Sequence, residues 1–348
     1  MSATVASQAA RTISFRDAIG QTIAQEMERD ASVLVIGEDV AGGAGMEAYD
    51  ASGSFGGVFG VTKGLVERFG RERVIDTPLS ETAFMGMAVG AAMGGYRPIV
   101  ELMFVDFLGV CLDPIYNQGA KVRYMSGGQA SVPMVLRTTY GGGLTGGAQH
   151  SGCHYSVFAH FPGLKVVVPS NPADAQGLMA AAVRDDNIVV FFEHKGLYGL
   201  KGPAAPAGHV VPLGRCAVAR PGTDVTVIGI GKTVHTALEA AAILADSGID
   251  CEVVDLRSLV PLDLEGIRAS VRKTRHLVMV DEDSPTCSMA TDVVARVCVS
   301  SFSDLDAAPV MVTPPSVPIP LAAELENAYL PSVADVVTAV RTVRGWSR

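Results

Sequence analysis

Asp76-Thr77-Pro78-Leu79-Ser80-Glu81-Thr82-Ala83-Phe84-Met85-Gly86-Met87-Ala88-Val89-Gly90-Ala91-Ala92-Met93-Gly94-Gly95 joins a polar turn to a run of nearly all small and apolar residues. Pro78 and Ser80 supply the turn and a cap. The spacing therefore predicts a helix starting at about Glu81, whose carboxylate sits in the first turn where the amide dipoles hold negative charge. Gly86, Gly90 and Gly94 fall on one face, which predicts a tight contact with another backbone. The run is too short to span a bilayer, so that contact should be with protein and Glu81 should lie near a protein interface. An ordinary first-turn acid would explain Glu81 taken alone.

Outward from this helix, short apolar runs alternate with helical patterns. Val33-Leu34-Val35-Ile36, Ile99-Val100-Glu101-Leu102, Pro133-Met134-Val135-Leu136, Lys165-Val166-Val167-Val168 and Ile188-Val189-Val190-Phe191-Phe192 are bounded by Gly, Pro and Asp. They read as buried strands of a parallel sheet. Helices are predicted over 14–29, 80–95, 106–124 and 172–184. Residues 201–222, rich in Pro and Gly, have the composition of an interdomain linker. A second α/β unit follows, with strands at Val225-Thr226-Val227-Ile228, Cys251-Glu252-Val253-Val254, Leu277-Val278-Met279-Val280 and Val310-Met311-Val312 and helices near 232–247, 288–300 and 333–343. The expected architecture is α/β with two parallel-sheet domains, residues 1–200 and 223–348.

Composition fits this. The chain has 348 residues, 48% hydrophobic and 18% charged, enough for two cores. Its formal charge of −9 and lack of a basic run argue against nucleic acid as a partner. The cysteines, Cys111, Cys153, Cys216, Cys251, Cys287 and Cys298, form no CxxC pair, which fits reduced thiols in a cytoplasm. The N-terminal residues lack the apolar core of a secretion signal and are expected to be frayed.

Three glycine-rich features differ in weight. Gly229-Ile230-Gly231-Lys232 follows a strand and opens a helix, but it lacks the third glycine of a dinucleotide fingerprint and the upstream glycine of a P-loop; it reads as a tight turn. The stretch from Gly42 to Gly60, with Tyr49, Phe55 and Phe59, is either a surface loop or one that orders over a substrate. The third is Gly141-Gly142-Gly143-Leu144-Thr145-Gly146-Gly147-Ala148-Gln149-His150-Ser151, directly after a predicted strand, where α/β folds place ligands. There an imidazole could move protons or hold a developing oxyanion, although a lone loop histidine is more often just a hydrogen-bonded surface group. His154 and His160 are weaker candidates.

These landmarks, together with Gly37-Glu38-Asp39-Val40, Arg123-Tyr124-Met125-Ser126-Gly127-Gly128, Pro162-Gly163-Leu164-Lys165-Val166-Val167 and Val317-Pro318-Ile319-Pro320, run the length of the chain. In that order and spacing the chain resembles the β subunits of the thiamine-diphosphate-dependent 2-oxo acid dehydrogenase first components, which are transketolase-like. Val100-Glu101-Leu102-Met103-Phe104-Val105-Asp106-Phe107, Gly60-Val61-Thr62-Lys63-Gly64-Leu65 and Cys287-Ser288-Met289-Ala290-Thr291-Asp292 most resemble the acetoin dehydrogenase branch. The resemblance implies a pyrimidine-binding domain followed by a transketolase C-terminal domain.

Roles follow from the resemblance alone. Glu81 matches the residue that hydrogen-bonds the aminopyrimidine ring of the cofactor, Phe107 packs on that ring, and Leu79 and Met103 match other cofactor-binding positions. His150 matches a histidine near the reacting carbon that serves transfer to a lipoyl group. Met134, Ala182, Val183, Asp185 and Asn187 match a K+ site. Anchoring the diphosphate through Mg2+ takes a GDG motif, which this sequence lacks. The resemblance therefore implies an α subunit that carries it, in an α2β2 assembly with β–β contacts, and a lipoyl acyltransferase as acceptor. The implied activity is an oxidoreductase that cleaves acetoin, with pyruvate or a branched-chain 2-oxo acid as the alternative substrate. A catalytically silent assembly subunit is the alternative of another class. Gly142, Gly143, Gly146 and Gly147, and Pro314-Pro315, depart from the family pattern.

Overall fold

The computed structural model describes residues 11–43 and 55–345. The middle of the Gly42–Gly60 stretch, with Tyr49, and the N-terminal residues expected to fray lie outside them. The first half runs β1 (Thr12–Ser14), α1 (Phe15–Arg29), β2 (Val33–Gly37), α2 (Leu65–Phe69), β3 (Val74–Asp76), α3 (Glu81–Met93), β4 (Arg97–Phe104), α4 (Leu108–Asp113), α5 (Val122–Met125), β5 (Val135–Tyr140), α6 (Tyr155–His160), β6 (Lys165–Val167), α7 (Pro172–Arg184), β7 (Val189–His194) and β8 (Lys201–Pro203). The second runs β9 (Ala217–Arg220), β10 (Val225–Gly229), α8 (Thr233–Ala245), β11 (Cys251–Asp255), β12 (Ser258–Val260), α9 (Leu264–Thr274), β13 (Leu277–Val280), α10 (Met289–Ser301), β14 (Val310–Val312), α11 (Ala323–Tyr329) and α12 (Val333–Gly345).

Two sheets carry the molecule, a seven-stranded one ordered β12-β6-β7-β5-β4-β2-β3 and a five-stranded one ordered β14-β13-β10-β11-β9. Every pairing within them is parallel except those of β12 with β6 and β9 with β11. Central strands such as β2, β5 and β7 are buried at every position, as expected of a sheet covered on both faces. The small antiparallel pair β1–β8 brings residues 201–203, within the predicted linker, back to the start of the chain. Strand β12 belongs by sequence to the second half but completes the sheet of the first. The α/β class with two parallel-rich sheets is the one expected.

One expectation fails: residues 106–124 do not form one helix. A short 3-10 turn (Val105–Phe107), α4, a π-helical turn (Pro114–Gly119) and α5 take its place, and Cys111 leaves helical dihedrals at φ −123°. Pro114 has no N–H and its ring crowds the carbonyl four residues back, that of Val110. The freed Val110 carbonyl accepts the Thr82 hydroxyl from α3 instead, tying the broken helix to the helix that begins at Glu81.

A buried ion cluster crosses the large sheet. Arg137 on β5, 2% exposed, donates from Nε and Nη2 to the two Glu193 carboxylate oxygens on β7, at 2.6 and 2.8 Å. Its Nη1 donates to Glu101 on β4 at 2.6 Å, and the Tyr198 hydroxyl donates to Glu193 at 2.7 Å. Removing one partner of a buried pair strands the others in an apolar interior. Arg137→Met should therefore destabilise the fold by about 3–5 kcal/mol, read from the denaturant midpoint; a loss below ~1 kcal/mol would show that the cluster is replaceable.

Candidate active site

Parallel strands deliver their loops to one edge of a sheet, the edge at which α/β folds bind ligands. In the large sheet that edge carries Glu38 after β2, Glu81 after β3, Met103 and Phe107 at the end of β4, the glycine loop with His150 after β5, and Lys195 after β7. The sequence-predicted candidates Glu81, Met103, Phe107 and His150 thus share one crevice rim, and Leu79 stands beside Glu81.

Glu81 opens α3 as expected. Ser80 is the cap residue, but its hydroxyl donates to the Pro78 carbonyl at 3.2 Å and accepts no N–H of the helix. Glu81 is half-buried and Leu79 is 83% exposed, so within this chain their surroundings are only half built. The predicted glycine contact is also not made here. The buried stripe of α3 is Phe84, Met85, Ala88, Val89 and Ala92, whereas Gly86, Gly90 and Gly94 face outward; a Cβ on Gly90 would meet nothing within 4 Å. Glycine spacing marks a face of low relief, and α3 has two faces.

Glu38 lies beside Glu81 at this edge, although nothing in its sequence neighbourhood assigns it a role. It is 7% exposed, and burial first, then the charges of Glu81, Asp39 and Glu101, raise its pKa from 4.5 to about 7. The position at a strand end inside Gly37-Glu38-Asp39-Val40 was the available signal. Of the charges acting on Glu38, that of Glu101 is already shared with Arg137 at 2.6 Å, which leaves Glu81 and Asp39 as its unpaired acidic neighbours of larger effect among the described residues.

The opposite wall is aromatic. The His150 ring stands edge-on to Phe104, centroids 4.7 Å apart at 88°, and to Phe107 at 5.7 Å and 83°. Phe104 also meets Phe59 at 5.8 Å, bringing the end of the Gly42–Gly60 stretch to the same wall. Asp106 fixes the loop beyond His150 by accepting the Gly152 N–H at 3.0 Å. Phe104, quoted in the sequence but given no role there, is the hub of this packing. Of the weaker histidines, His154 stands 3.8 Å from Asp106 and His160 ends α6.

The unusual glycines have a structural reason in the second half of the chain. A Cβ at Gly142 would lie 2.6 Å from the Ile319 Cδ1 and 3.1 Å from a Leu330 Cδ, so any larger residue would push the ends of these side chains off the loop. Gly231, in the broken fingerprint, leaves room for the Tyr140 hydroxyl, which a Cβ would meet at 2.0 Å. That stretch is a tight strand-to-helix turn, as expected, and it packs against β5. A cleft of ≈ 290 Å³ remains between the loop and this second half, lined among others by Ser151, Glu282, Ile319 and Leu330.

The residues matched to K+ binding cluster where α7 ends. Arg97 Nη1 donates to the carbonyls of Val183 and Asp185, both at 3.0 Å. The Asp185 carboxylate is held by Lys165 and by the Asn187 N–H at 2.9 Å. Met134 and Ala182 carbonyls accept Val189 and Asp185 N–H groups at 3.0 and 3.2 Å. Each carbonyl keeps a second lone pair.

Comparison with known proteins identifies the family. Residues 11–201 match the pyrimidine-binding domain of transketolase and residues 214–336 its C-terminal domain. The chain is 50% identical to the β subunit of acetoin:2,6-dichlorophenolindophenol oxidoreductase from Bacillus subtilis, over 97% of this chain and 98% of that protein. The β subunit of the same name from Cupriavidus necator is equally similar at 50%, over 97% and 99%. The 2-oxoisovalerate dehydrogenase β subunit of Bacillus subtilis is 44% identical, over 94% and 98%. A structure titled split gene transketolase, inactive beta4 tetramer, superposes with a TM-score of 0.76 at 23% identity, covering 97% of this chain and 99% of that one, which shows the shared fold. The site and fold define a transketolase-like protein of the thiamine-diphosphate-dependent class. Within that class, the chain belongs to the family of β subunits of acetoin and 2-oxo acid dehydrogenase first components.

Glu38 makes the site pH-sensitive in a defined direction. Its folded pKa exceeds the unfolded value, so burial costs nothing below about pH 4.5 and is penalised increasingly up to about pH 7, where the buried group ionises. Glu38→Gln should therefore gain stability over the parent as pH rises from about 5 to about 8. Paired thermal melts at constant ionic strength check this; a pH-independent difference would remove Glu38 from the account.

Proposed function

We propose that the chain is the β subunit of an enzyme that cleaves acetoin, releasing acetaldehyde and passing the acetyl unit to lipoamide or an artificial acceptor. The observation that carries the substrate is end-to-end identity of 50% with two acetoin-oxidoreductase β subunits, against 44% with the 2-oxoisovalerate subunit. Residues 1–200 would form the pyrimidine-binding domain and 223–348 the C-terminal domain, joined through 201–222.

The donor set fits half of a thiamine diphosphate site. Bound there, the cofactor would supply a nucleophilic carbon that adds to the substrate carbonyl and lets the neighbouring carbon–carbon bond break. Glu81 would hold a proton shared with a ring nitrogen of the aminopyrimidine, an interaction strengthened once a partner excludes water. Leu79, Met103 and Phe107 would supply apolar surface to that ring. His150, backed by Phe104, would move a proton at the substrate oxygen and at the acceptor thiol. The sequence holds no GDG motif, so the diphosphate and its Mg2+ would be held by an α subunit. The outward glycine face of α3 and exposed Leu79, Met87 and Met93 suit that partner or a second β subunit. A lipoyl acyltransferase would take the acyl group. K+ would use the free lone pairs at Met134, Ala182, Val183, Asp185 and Asn187, sharing Val183 and Asp185 with Arg97.

Co-expression with an α subunit bearing a GDG motif, followed by dye-linked assays, tests the reading. Acetoin should be turned over in preference to pyruvate and branched 2-oxo acids; preference for a 2-oxo acid would select the second substrate reading. The purified β chain should be inactive alone, and turnover without a partner would refute the split site. Glu81→Gln should lower turnover about 10²-fold or more even at saturating cofactor. His150→Ala should bind cofactor yet lose at least about tenfold in acetyl transfer to lipoamide.

A further inference from the structure

Behind the His150 loop lies a buried charge that nothing above employs. Lys195 is 5% exposed, and its ammonium donates to the main-chain carbonyl of His150. The same nitrogen stands 5.3 Å from the centroid of the Phe104 ring, whose edge-to-face contact orients the His150 imidazole. Burying an ammonium is costly unless it is compensated, and a methionine of similar length would fill the space at less cost.

Burial lowers the Lys195 pKa, and three carboxylates offset this only in part, two of them in the second half of the chain: Asp106, Glu282 and Glu326. Each also accepts an amide of the segment that bears His150. Glu282 accepts the Gly142 N–H at 2.6 Å, Glu326 accepts the Thr145 N–H at 3.0 Å, and Asp106 accepts that of Gly152. Next to Lys195, the wholly buried His194 accepts the Gly196 N–H on Nδ1 at 3.0 Å. Its proton therefore resides on Nε2, which donates to Glu282 at 2.9 Å. The carboxylates hold the loop by its amides and Lys195 holds it by a carbonyl.

We infer that Lys195 is a positioning residue for His150: its ammonium holds the His150 carbonyl and faces the Phe104 ring on which the imidazole stands, while Glu282 and Glu326 of the second half tie the same loop by its amides. The inference rests on the proposed role of His150 and adds a second residue, outside the cofactor pocket, on which that role depends. It also gives the C-terminal half a part in the chemistry, through Glu282 and Glu326.

A double-mutant cycle in the α–β holoenzyme with thiamine diphosphate and Mg2+ tests it. Lys195→Met should lower kcat with acetoin by about ten- to a hundredfold, the range for a displaced reacting group, with cofactor affinity unchanged. In a His150→Ala background the same change should cost less than about twofold, because the residue it positions is gone. A structural plug would not behave so; its loss would be the same in both backgrounds. Lys195→Gln repeats the cycle, so the result does not hang on the folding of one variant. Wild-type kcat in the Lys195 variants, or an undiminished loss in the His150→Ala background, overturns the inference while leaving the proposed function intact. Wild-type activity of His150→Ala by itself refutes the proposed role of His150 and the inference with it.

Discussion

Arg137 is the constraint around which the first half of the molecule is arranged. One guanidinium joins β4, β5 and β7, so three neighbouring parallel strands are held in register by charge as well as by their ladders. It faces two carboxylates, and burial pushes the Glu101 pKa upward while Arg137 and its partners hold the cluster together. The uncompensated negative field extends to Glu38, one of whose perturbing charges is Glu101. Burial does most to raise the pKa of that rim group, and the core ion cluster, through Glu101, adds a smaller push in the same direction. An aliphatic core could hold the strands equally well, and it would remove only this smaller electrostatic contribution at Glu38.

Much of the fold was legible because parallel strands buried on both faces leave uninterrupted apolar runs, and those runs sit where the principal strands sit. Of the three-residue strands, β6 and β14 were legible as apolar runs and others were not. β3, Val74–Asp76, and β12, Ser258–Val260, owe their state to the neighbours they pair with, and β12 pairs across the divide between halves. The 106–124 helix failed for a local reason present in the sequence: Pro114 forbids a bond that apolar periodicity would assume. The amide-rich turn after β5 was legible as a site, whereas Lys195 was not, since a lysine in a Pro- and Gly-rich stretch gives no sign that it points inward.

The site residues divide along the same line. Glu81 and His150 announce themselves through neighbours in sequence, a cap turn and a glycine run. Phe104, Glu38, Lys195, Glu282 and Glu326 acquire meaning only when five strand ends and a second domain converge. Their sequence neighbourhoods are those of ordinary strand ends and helices. Gly142 shows how the two kinds of information meet: its sequence says that backbone must come close to something, and the structure says that the something is Ile319 and Leu330.

The crossing of β12 has a consequence for how this chain is made and handled. The large sheet stays open at β6 until residues 258–260 arrive, so nearly sixty residues beyond the last native strand of the first half, β8, must emerge from the ribosome before that edge is covered. Until then β6 offers an unpaired row of amides and carbonyls to any passing strand. A fragment cut between the halves would keep that exposed seam permanently and tend to self-associate, so the intact chain is the smallest unit to be expected in soluble form.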